Sequence, residues 1–406
     1  MYNGGSLRHF HLIHQLAQRH CVTLLVTAPV RPVPTGFPPS PLASICVRII
    51  QANSRELISP KIERQFHAFA PLRWRLWNLL TWWRGSSTGP WLSPGVVRLF
   101  RGILADVRPD VVWADQSYIA EAVRAAGFIR IVVDMDDIQT VYRYRDLRTA
   151  LWYNSKPLHY LELAKLAAYE WSLSRRLWRV VVCKEEDRKF VGGNRSRVFV
   201  VPNGVEPVPA MDPANEVAGQ MFFVGSLDYP PNADAVQFFA AAILPQIRQQ
   251  LPGATFHIAG KRPDGEVSRL HDGWAIFMHG TVPSVDPHYL SASLFVSPLR
   301  MGAGTKLKIL EALVRGKGVV ATSQSVEGLN LIPGVHFMQA DTPNAFATVC
   351  VHLLNDAGLR SKLGAAGRVH VLRHFTWDRV GELADLAVQP HPWSDQTTFR
   401  SEVIWH

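Results

Sequence analysis

Residues Ser297–Gly316 read SPLRMGAGTKLKILEALVRG. An apolar strand, Leu294–Ser297, ends at the serine. A turn holding Gly302-Ala303-Gly304 follows, and a helix opens at Thr305 and runs as Lys306–Arg315. A strand, a glycine turn and a helix in this order place free backbone N–H groups and the positive end of a helix dipole beside a loop that can approach a ligand closely. Arg300, Lys306 and Lys308 add cationic charge, and Leu307, Leu310 and Val314 give the helix its apolar stripe. Glu311 falls one turn in, on the side of Lys308 and Gly304, where a carboxylate can accept hydrogen bonds from a ribose diol. The segment therefore points to a phosphate-bearing nucleotide. An ordinary glycine loop with a surface glutamate is the competing reading.

The same alternation extends in both directions. Val22–Thr27, Val111–Trp113, Ile129–Asp134, Arg179–Cys183 and Val198–Val201 read as strands. Leu7–Arg19, Ser117–Ala126 and Leu158–Arg176 read as helices between them. After a Pro-, Gly- and Asn-rich stretch the rhythm restarts with strand Met221–Val224, helix Ala233–Gln250 and strand Thr255–Ala259. Strand Gly318–Ala321 follows the Lys306 helix, and Ala345–Asn355, Gly358–His374 and Trp377–Ala387 are helical. Short apolar strands alternating with longer amphipathic helices predict parallel sheets covered on both faces. The pattern gives an N-terminal unit over 1–202, a linker over 203–220, a C-terminal unit over 221–375 and a last helix with a polar tail over 376–406. The N-terminal unit has an oddity: Gly4-Gly5 precedes its first helix and leaves no room for an opening strand.

The chain has 406 residues, 47% hydrophobic and 19% charged, which suits large buried cores and excludes a disordered or fibrous chain. Its charge is uneven. Residues 1–200 carry 28 Lys+Arg against 15 Asp+Glu, a net +13, whereas residues 201–406 carry 15 against 18, a net −3. Arginines of the basic half sit among tryptophans, with no lysine run, zinc-finger spacing or RNA-binding aromatic signature, so nucleic acid is not the expected partner. Cys21, Cys46, Cys183 and Cys350 are far apart, which argues against a disulfide framework and for a cytoplasmic setting. No apolar run reaches spanning length, and the opening MYNGGSLRHF lacks the apolar core of a signal peptide.

Further candidates lie in the N-terminal half. Asp134-Met-Asp136-Asp137 and Asp115-Gln116 each follow a strand, at the edge where open α/β sheets bind ligands. The first could hold Mn²⁺ and a diphosphate, act as a polar strand end, or orient an acceptor. Among His9, His11 and His14, His9 and His11 are two residues apart on a helix, about 200° around its axis, and cannot both face one metal ion. Phe66–Leu104 interleaves Trp74, Trp77, Trp82, Trp83 and Trp91 with Arg73, Arg75, Arg84, Arg98 and Arg101. That composition fits either packing at helix junctions or peripheral contact with an anionic membrane.

Taken together, Gly4-Gly5 before a helix, PNGV at 202–205, VGSLDYPPNADAV at 224–236 and R-x-G-x-G-T-K-L-K-x-L-E-A at 300–312 resemble a family 4 glycosyltransferase of the bacterial exopolysaccharide and cell-envelope branch. The resemblance implies the GT-B fold, with two Rossmann-like doubly wound domains facing a cleft. It also implies transfer of a sugar from a nucleotide-sugar donor with retention of configuration, without a metal or other cofactor. Carried over by position, Glu311 matches the ribose-binding second glutamate of a Glu-x7-Glu motif whose first member is here Ala303. Gly5 matches the glycine that nears the donor phosphates. The family's usual arginine and lysine fall at Ser226 and near Pro231-Asn232, and a sugar-contacting histidine falls at Asp136.

On this reading Gly5, Gly225, Ser226, Arg300, Gly304, Thr305, Lys306, Leu307 and Glu311 bind the donor, and Asp136 and Asp115 serve the chemistry. Arg300 and Lys306 replace the missing cations, because two phosphates in a buried site need partners. A glycan or lipid-linked acceptor, a cytoplasmic location and contact with the inner membrane face through Phe66–Leu104 are expected. A nucleotide-sugar epimerase of the same fold and a catalytically inactive scaffold are the rival readings.

Overall fold

A computed structural model describes residues 4–26, 41–51, 94–149, 156–192, 195–261, 265–302, 305–389 and 402–405. In chain order the N-terminal half runs α1 (Gly4–Ala17), β1 (Cys21–Val26), β2 (Arg48–Gln51), α2 (Pro94–Val107), β3 (Val111–Ala114), α3 (Ser117–Ala125), β4 (Ile131–Met135), α4 (Gln139–Thr149), α5 (Lys156–Arg176), β5 (Arg179–Val182) and β6 (Val198–Val200). The C-terminal half runs β7 (Val217–Val224), α6 (Pro230–Phe238), α7 (Leu244–Gln250), β8 (Thr255–Ala259), β9 (Ile276–Gly280), β10 (Ala292–Ser297), α8 (Leu307–Val314), β11 (Val319–Ala321), β12 (Met338–Gln339), α9 (Pro343–Asn355), α10 (Ala357–His374), α11 (Trp377–Val388) and β13 (Glu402–Trp405). The chain divides into two compact units: Met1–Leu7 with Pro202–Val380, and Arg8–Val201 with Gly381–His406.

Each unit is built on a parallel sheet. Strand order is β2-β1-β13-β3-β4-β5-β6 in one and β12-β11-β10-β7-β8-β9 in the other. Every residue of β3, β4, β5 and β10 is buried, as expected for strands covered on both faces. The alternation of side chains sorts the core of the C-terminal unit into two layers. Met221, Phe223, Leu294 and Val296 join Phe239, Phe256 and Phe346 on one face. Phe222, Val224 and Phe295 join Ile309, Leu310 and Leu313 of α8 on the other. On one face of the first sheet, Val112, Val133 and Val180 join Phe100, Ile119 and Leu173 in a shared core.

Three features differ from the sequence expectations. Strand β7 begins at Val217 rather than Met221, inside the expected linker. Its extension lacks an apolar run because Val217 and Ala218 are exposed, but Ser293 Oγ donates to the Val217 carbonyl (2.6 Å) and the Gln220 amide donates to Ser291 Oγ (2.7 Å). The helix expected over Ala233–Gln250 starts at Pro230 and is interrupted by a wider π-type turn at Phe239–Ile243. Pro230 suits a first turn whose N–H has no partner in any case. Pro245 cannot donate to the carbonyl four residues back, which accounts for the widened turn ahead of it.

The third difference answers the oddity at Gly4-Gly5. The tail expected to be polar contains β13, which pairs in parallel with β1 on one side and β3 on the other. Its register sets Val403 beside Val22 and Val111, and Trp405 beside Leu24 and Trp113. The interior position between β1 and β3 is therefore filled by residues 402–405.

A chain ending at Gln389 would leave the facing edges of β1 and β3 without partners, at a cost on the order of 1–3 kcal/mol for each buried group. Amide hydrogen exchange is expected to show lost protection at residues 22–25 and 111–114, while 217–224 keep theirs. Unchanged protection in β1 and β3 would show that β13 is dispensable.

Candidate functional site

In the C-terminal unit the residues named from the sequence gather where β7 and β10 end and α8 begins. Gly225 follows β7 directly and has no room for a side chain. A Cβ there would lie 2.7 Å from the Asn232 amide nitrogen and 2.9 Å from Lys308 Nζ. Asn232 Nδ2 donates to the Ser226 carbonyl (2.7 Å), and its Oδ1 accepts from Lys308 Nζ (2.5 Å). The end of β7, the first turn of α6 and the first turn of α8 are thus joined through one amide. The Ser226 hydroxyl is directed to Asp228 (2.7 Å).

The loop after β10 is held from below. Ser297, Thr322 and Ser325 are buried and hydrogen-bonded to one another, and Thr322 Oγ1 donates to the Leu299 carbonyl (2.5 Å). Gly302 has a φ of +110°, which favours glycine, and its carbonyl accepts from Gln324 Nε2 (3.1 Å). Ala303 and Gly304 lie outside the described residues. Thr305 is buried and accepts from the Asn203 backbone N–H (3.3 Å), which ties the PNGV segment to the start of α8. Gly204 in that segment leaves no space for a Cβ against the Trp377 ring, 2.7 Å away.

Arg300 makes a two-pronged ion pair with Asp234, its Nε at 3.0 Å from Oδ2, and its guanidinium lies 4.2 Å over the Phe238 ring. Lys306 is the cap residue of α8, and Leu307, Lys308 and Glu311 occupy its first turns. Leu307 is half-buried rather than part of the core. Ile309, Leu310, Ala312, Leu313 and Val314 are buried instead, because α8 packs against both the sheet and α10. Burial and the nearby Lys306 pull the Lys308 ammonium down to about 7, with Glu311 opposing. Burial lifts the Glu311 carboxyl above its ordinary range, with Arg315 and Lys308 opposing. The arrangement presents cationic charge and helix N–H groups beside a glycine backbone, with one carboxylate a turn away. It is suited to a diphosphate and a ribose diol.

A second group of polar residues stands at the strand ends of the N-terminal unit. Arg8 of α1, fully buried, reaches Asp134 at the end of β4 through Nε (3.0 Å) and Nη2 (2.8 Å). Burial opposes the Arg8 charge, but Asp134 holds its pKa above the ordinary value. The next residue, His9, has its Nδ1 4.0 Å from Asp115 at the end of β3. Consecutive residues of α1 therefore reach two strand ends. Burial, then the charge of Asp134, lifts the Asp136 carboxyl, and its Oδ1 accepts from the Asp137 N–H (2.9 Å). Glu170 of α5 accepts from the Gln139 and Thr140 N–H groups (2.9 and 3.0 Å), which caps α4 and holds the Asp134–Asp137 turn. Gly5 lies in the first turn of α1.

The structure also locates the other sequence candidates. Asp134 of the D-x-D is paired with Arg8, and among the described residues no group of three His, Cys, Asp or Glu is placed to hold a metal ion. His11 is partly buried, which with His14 lowers it to about 4. Of Phe66–Leu104, only 94–104 are described. There Val96 and Phe100 point into the core while Arg98 and Arg101 are exposed. No helix among the described residues is long and apolar enough to cross a membrane. Nothing in the sequence assigns a role to Arg8 or Asp234, and Asn232 stands out only as lying near where a lysine is missing. Nothing local marks an arginine whose partner is 126 residues away, whereas the Pro230-Pro231-Asn232 helix start could have pointed to Asn232.

Residues 218–356 match the family model described as glycosyl transferases group 1. A 144-residue stretch is 29% identical to an uncharacterized 44.6 kDa protein in the cps region of Klebsiella pneumoniae, covering 33% of this chain and 36% of that one. Sucrose-phosphate synthase from Thermosynechococcus elongatus superposes with a TM-score of 0.64 at 18% identity, over 93% of this chain and 90% of its own. HepE from Anabaena, solved with UDP and glucose, gives 0.56 at 14%, over 91% and 99%. TarM gives 0.58 at 13%, over 73% of this chain and 58% of TarM. The chain shares the GT-B fold of these solved structures, and the stretch that matches the glycosyl transferases group 1 model lies within the sheet unit that holds the start of α8.

Replacing Arg8 by Met leaves Asp134 buried without a partner and is expected to cost about 3–5 kcal/mol. Adding Asp134→Leu should recover most of that loss. Urea unfolding of the single and double variants checks this, and equal losses in both would show that the pair is not coupled.

Proposed function

We propose that the protein transfers a sugar from a nucleotide-sugar donor to a glycan or lipid-linked acceptor, with retention of configuration, in polysaccharide or cell-envelope synthesis. One observation carries the reading. Gly225, Lys306, Lys308 and Glu311 converge at the start of α8, giving a phosphate cradle with a ribose acceptor one turn along. The group 1 match over the same residues supports it, as does the relative in a cps region. The likeness to HepE, solved with UDP and glucose, is consistent with a nucleotide-sugar donor.

In this reading the α8 N-terminus and its lysines stabilise the departing diphosphate, so no metal or other cofactor is needed. Glu311 accepts from the ribose hydroxyls, and Gly5 approaches the donor through its backbone. Asp136 and Asp115 orient the acceptor hydroxyl and the sugar. Contact of Phe66–Leu104 with an anionic membrane face belongs to the same proposal. The interleaved tryptophans and arginines and the expected lipid-linked acceptor support it.

A thermal-shift screen of nucleotide sugars is expected to yield at least one that raises the melting temperature. Product from that donor should then require an acceptor. Epimerised donor without acceptor would identify an epimerase, and no stabilisation by any donor would favour an inactive scaffold. Lys306→Ala should lower kcat/KM roughly ten- to hundredfold, the effect of one lost charge-assisted hydrogen bond, with an unchanged melting temperature. Near-normal turnover would remove Lys306 from the donor site.

A further inference from the structure

Lys308 sits where a positive charge has little to gain. It is the second residue of α8, at the positive end of the helix dipole, and Lys306 caps the same turn. Its ammonium donates to the neutral Oδ1 of Asn232, at 2.5 Å, and lies 4.1 Å over the Phe223 ring. Glu311, the carboxylate acting on it, is itself held toward its neutral form by burial. A methionine would fill the same space without the burial cost of a charge. A site that breaks local electrostatic preference in this way is one whose compensating charge arrives with a ligand.

Arg300, by contrast, is already balanced. It is clamped by both oxygens of Asp234 and stacked on Phe238, so withdrawing it would leave Asp234 uncompensated. Gly225 explains why Lys308 can stand where it does. The missing Cβ leaves its ammonium against the backbone that follows β7, since a methyl group there would lie 2.9 Å from Nζ. An ammonium carried by α8 thus meets the first turn of α6 at Asn232.

We propose that Lys308 is the principal cation that receives the donor diphosphate, held ready by Asn232, and that Arg300 positions the start of α6 through Asp234 rather than binding the phosphates. This rests on the donor-site reading above and deepens it. The groups facing Lys308 are Lys306 and Glu311 from its own helix, the neutral Asn232 from α6, and Phe223 and Gly225 at the end of β7. Because the ammonium without ligand titrates near 7, a bound dianion should draw a proton onto it. Affinity then falls as pH rises above that value.

The test is calorimetry with UDP-glucose, GDP-mannose, ADP-glucose and TDP-glucose at pH 6 and 8, in two buffers of different ionisation heat. Their diphosphates are esterified at both ends and do not titrate in this range. Wild-type protein is expected to take up close to one proton on binding at pH 8 and almost none at pH 6. Lys308→Met should weaken binding about ten- to hundredfold and abolish the uptake, and Arg300→Met should weaken it less. Lys308→Gln serves if the Met variant does not fold, and the wild-type proton uptake needs no variant. Binding that is undiminished in the Lys308 variants, or no proton uptake at pH 8, overturns the proposal and leaves the donor-site reading standing. Binding of none of the four overturns both.

Discussion

A parallel sheet cannot leave a position open in its middle. Each interior strand needs a partner on both edges, since a buried backbone N–H or C=O without one is costly. In the N-terminal unit that constraint falls on β1 and β3, and β13 meets it from near the other end of the chain. With the slot filled, β1 and β4 are held at fixed positions in one sheet, and α1 lies where Arg8 reaches Asp134 and His9 nears Asp115. The C-terminal half of α11 is drawn into the same unit. Asp385 meets His20 at 2.6 Å, and the Leu386 carbonyl accepts from Arg179 at 3.0 Å.

Charge is handled in two ways in this molecule. Arg8–Asp134, Arg300–Asp234 and the Glu216 carboxylate shared by Lys317 and Arg360 are closed: each cation meets a carboxylate at hydrogen-bonding distance. Such pairs hold elements together and offer little to a ligand. The start of α8 differs: the Lys308 ammonium meets the neutral Oδ1 of Asn232, and the helix dipole and Lys306 add to its charge. The placement of the cations, not their number, sets the local charge at each site. It is also why the net charge of −3 over residues 201–406 says little about its ability to bind an anion.

Much of the site was legible because it is local. The strand, glycine turn and helix of 297–316 are adjacent in sequence, and Gly225-Ser226 follows an obvious apolar strand. Asn232 and Asp234 were less so: a polar residue in a helix's first turn is usually solvated, and what it touches depends on which helix lies opposite. Arg8 carried no signal, because an arginine is marked as buried only by an acid that the fold brings to it. The 231–232 region shows the limit of motif reading, since the absence of a cation there is visible in sequence but the contact of Lys308 with Asn232 is not.

The amino-acid sequence by itself determined the parallel α/β class, most strand and helix positions, and the phosphate-suited turn before α8. These follow from hydrophobic period, glycine and helix polarity, which act over a few residues. The tertiary structure alone decided that β13 closes the first sheet, that Arg300 is paired and that Lys308 stands against Gly225 and Asn232. Each depends on groups 66 to several hundred residues apart, and only packing sets their distance.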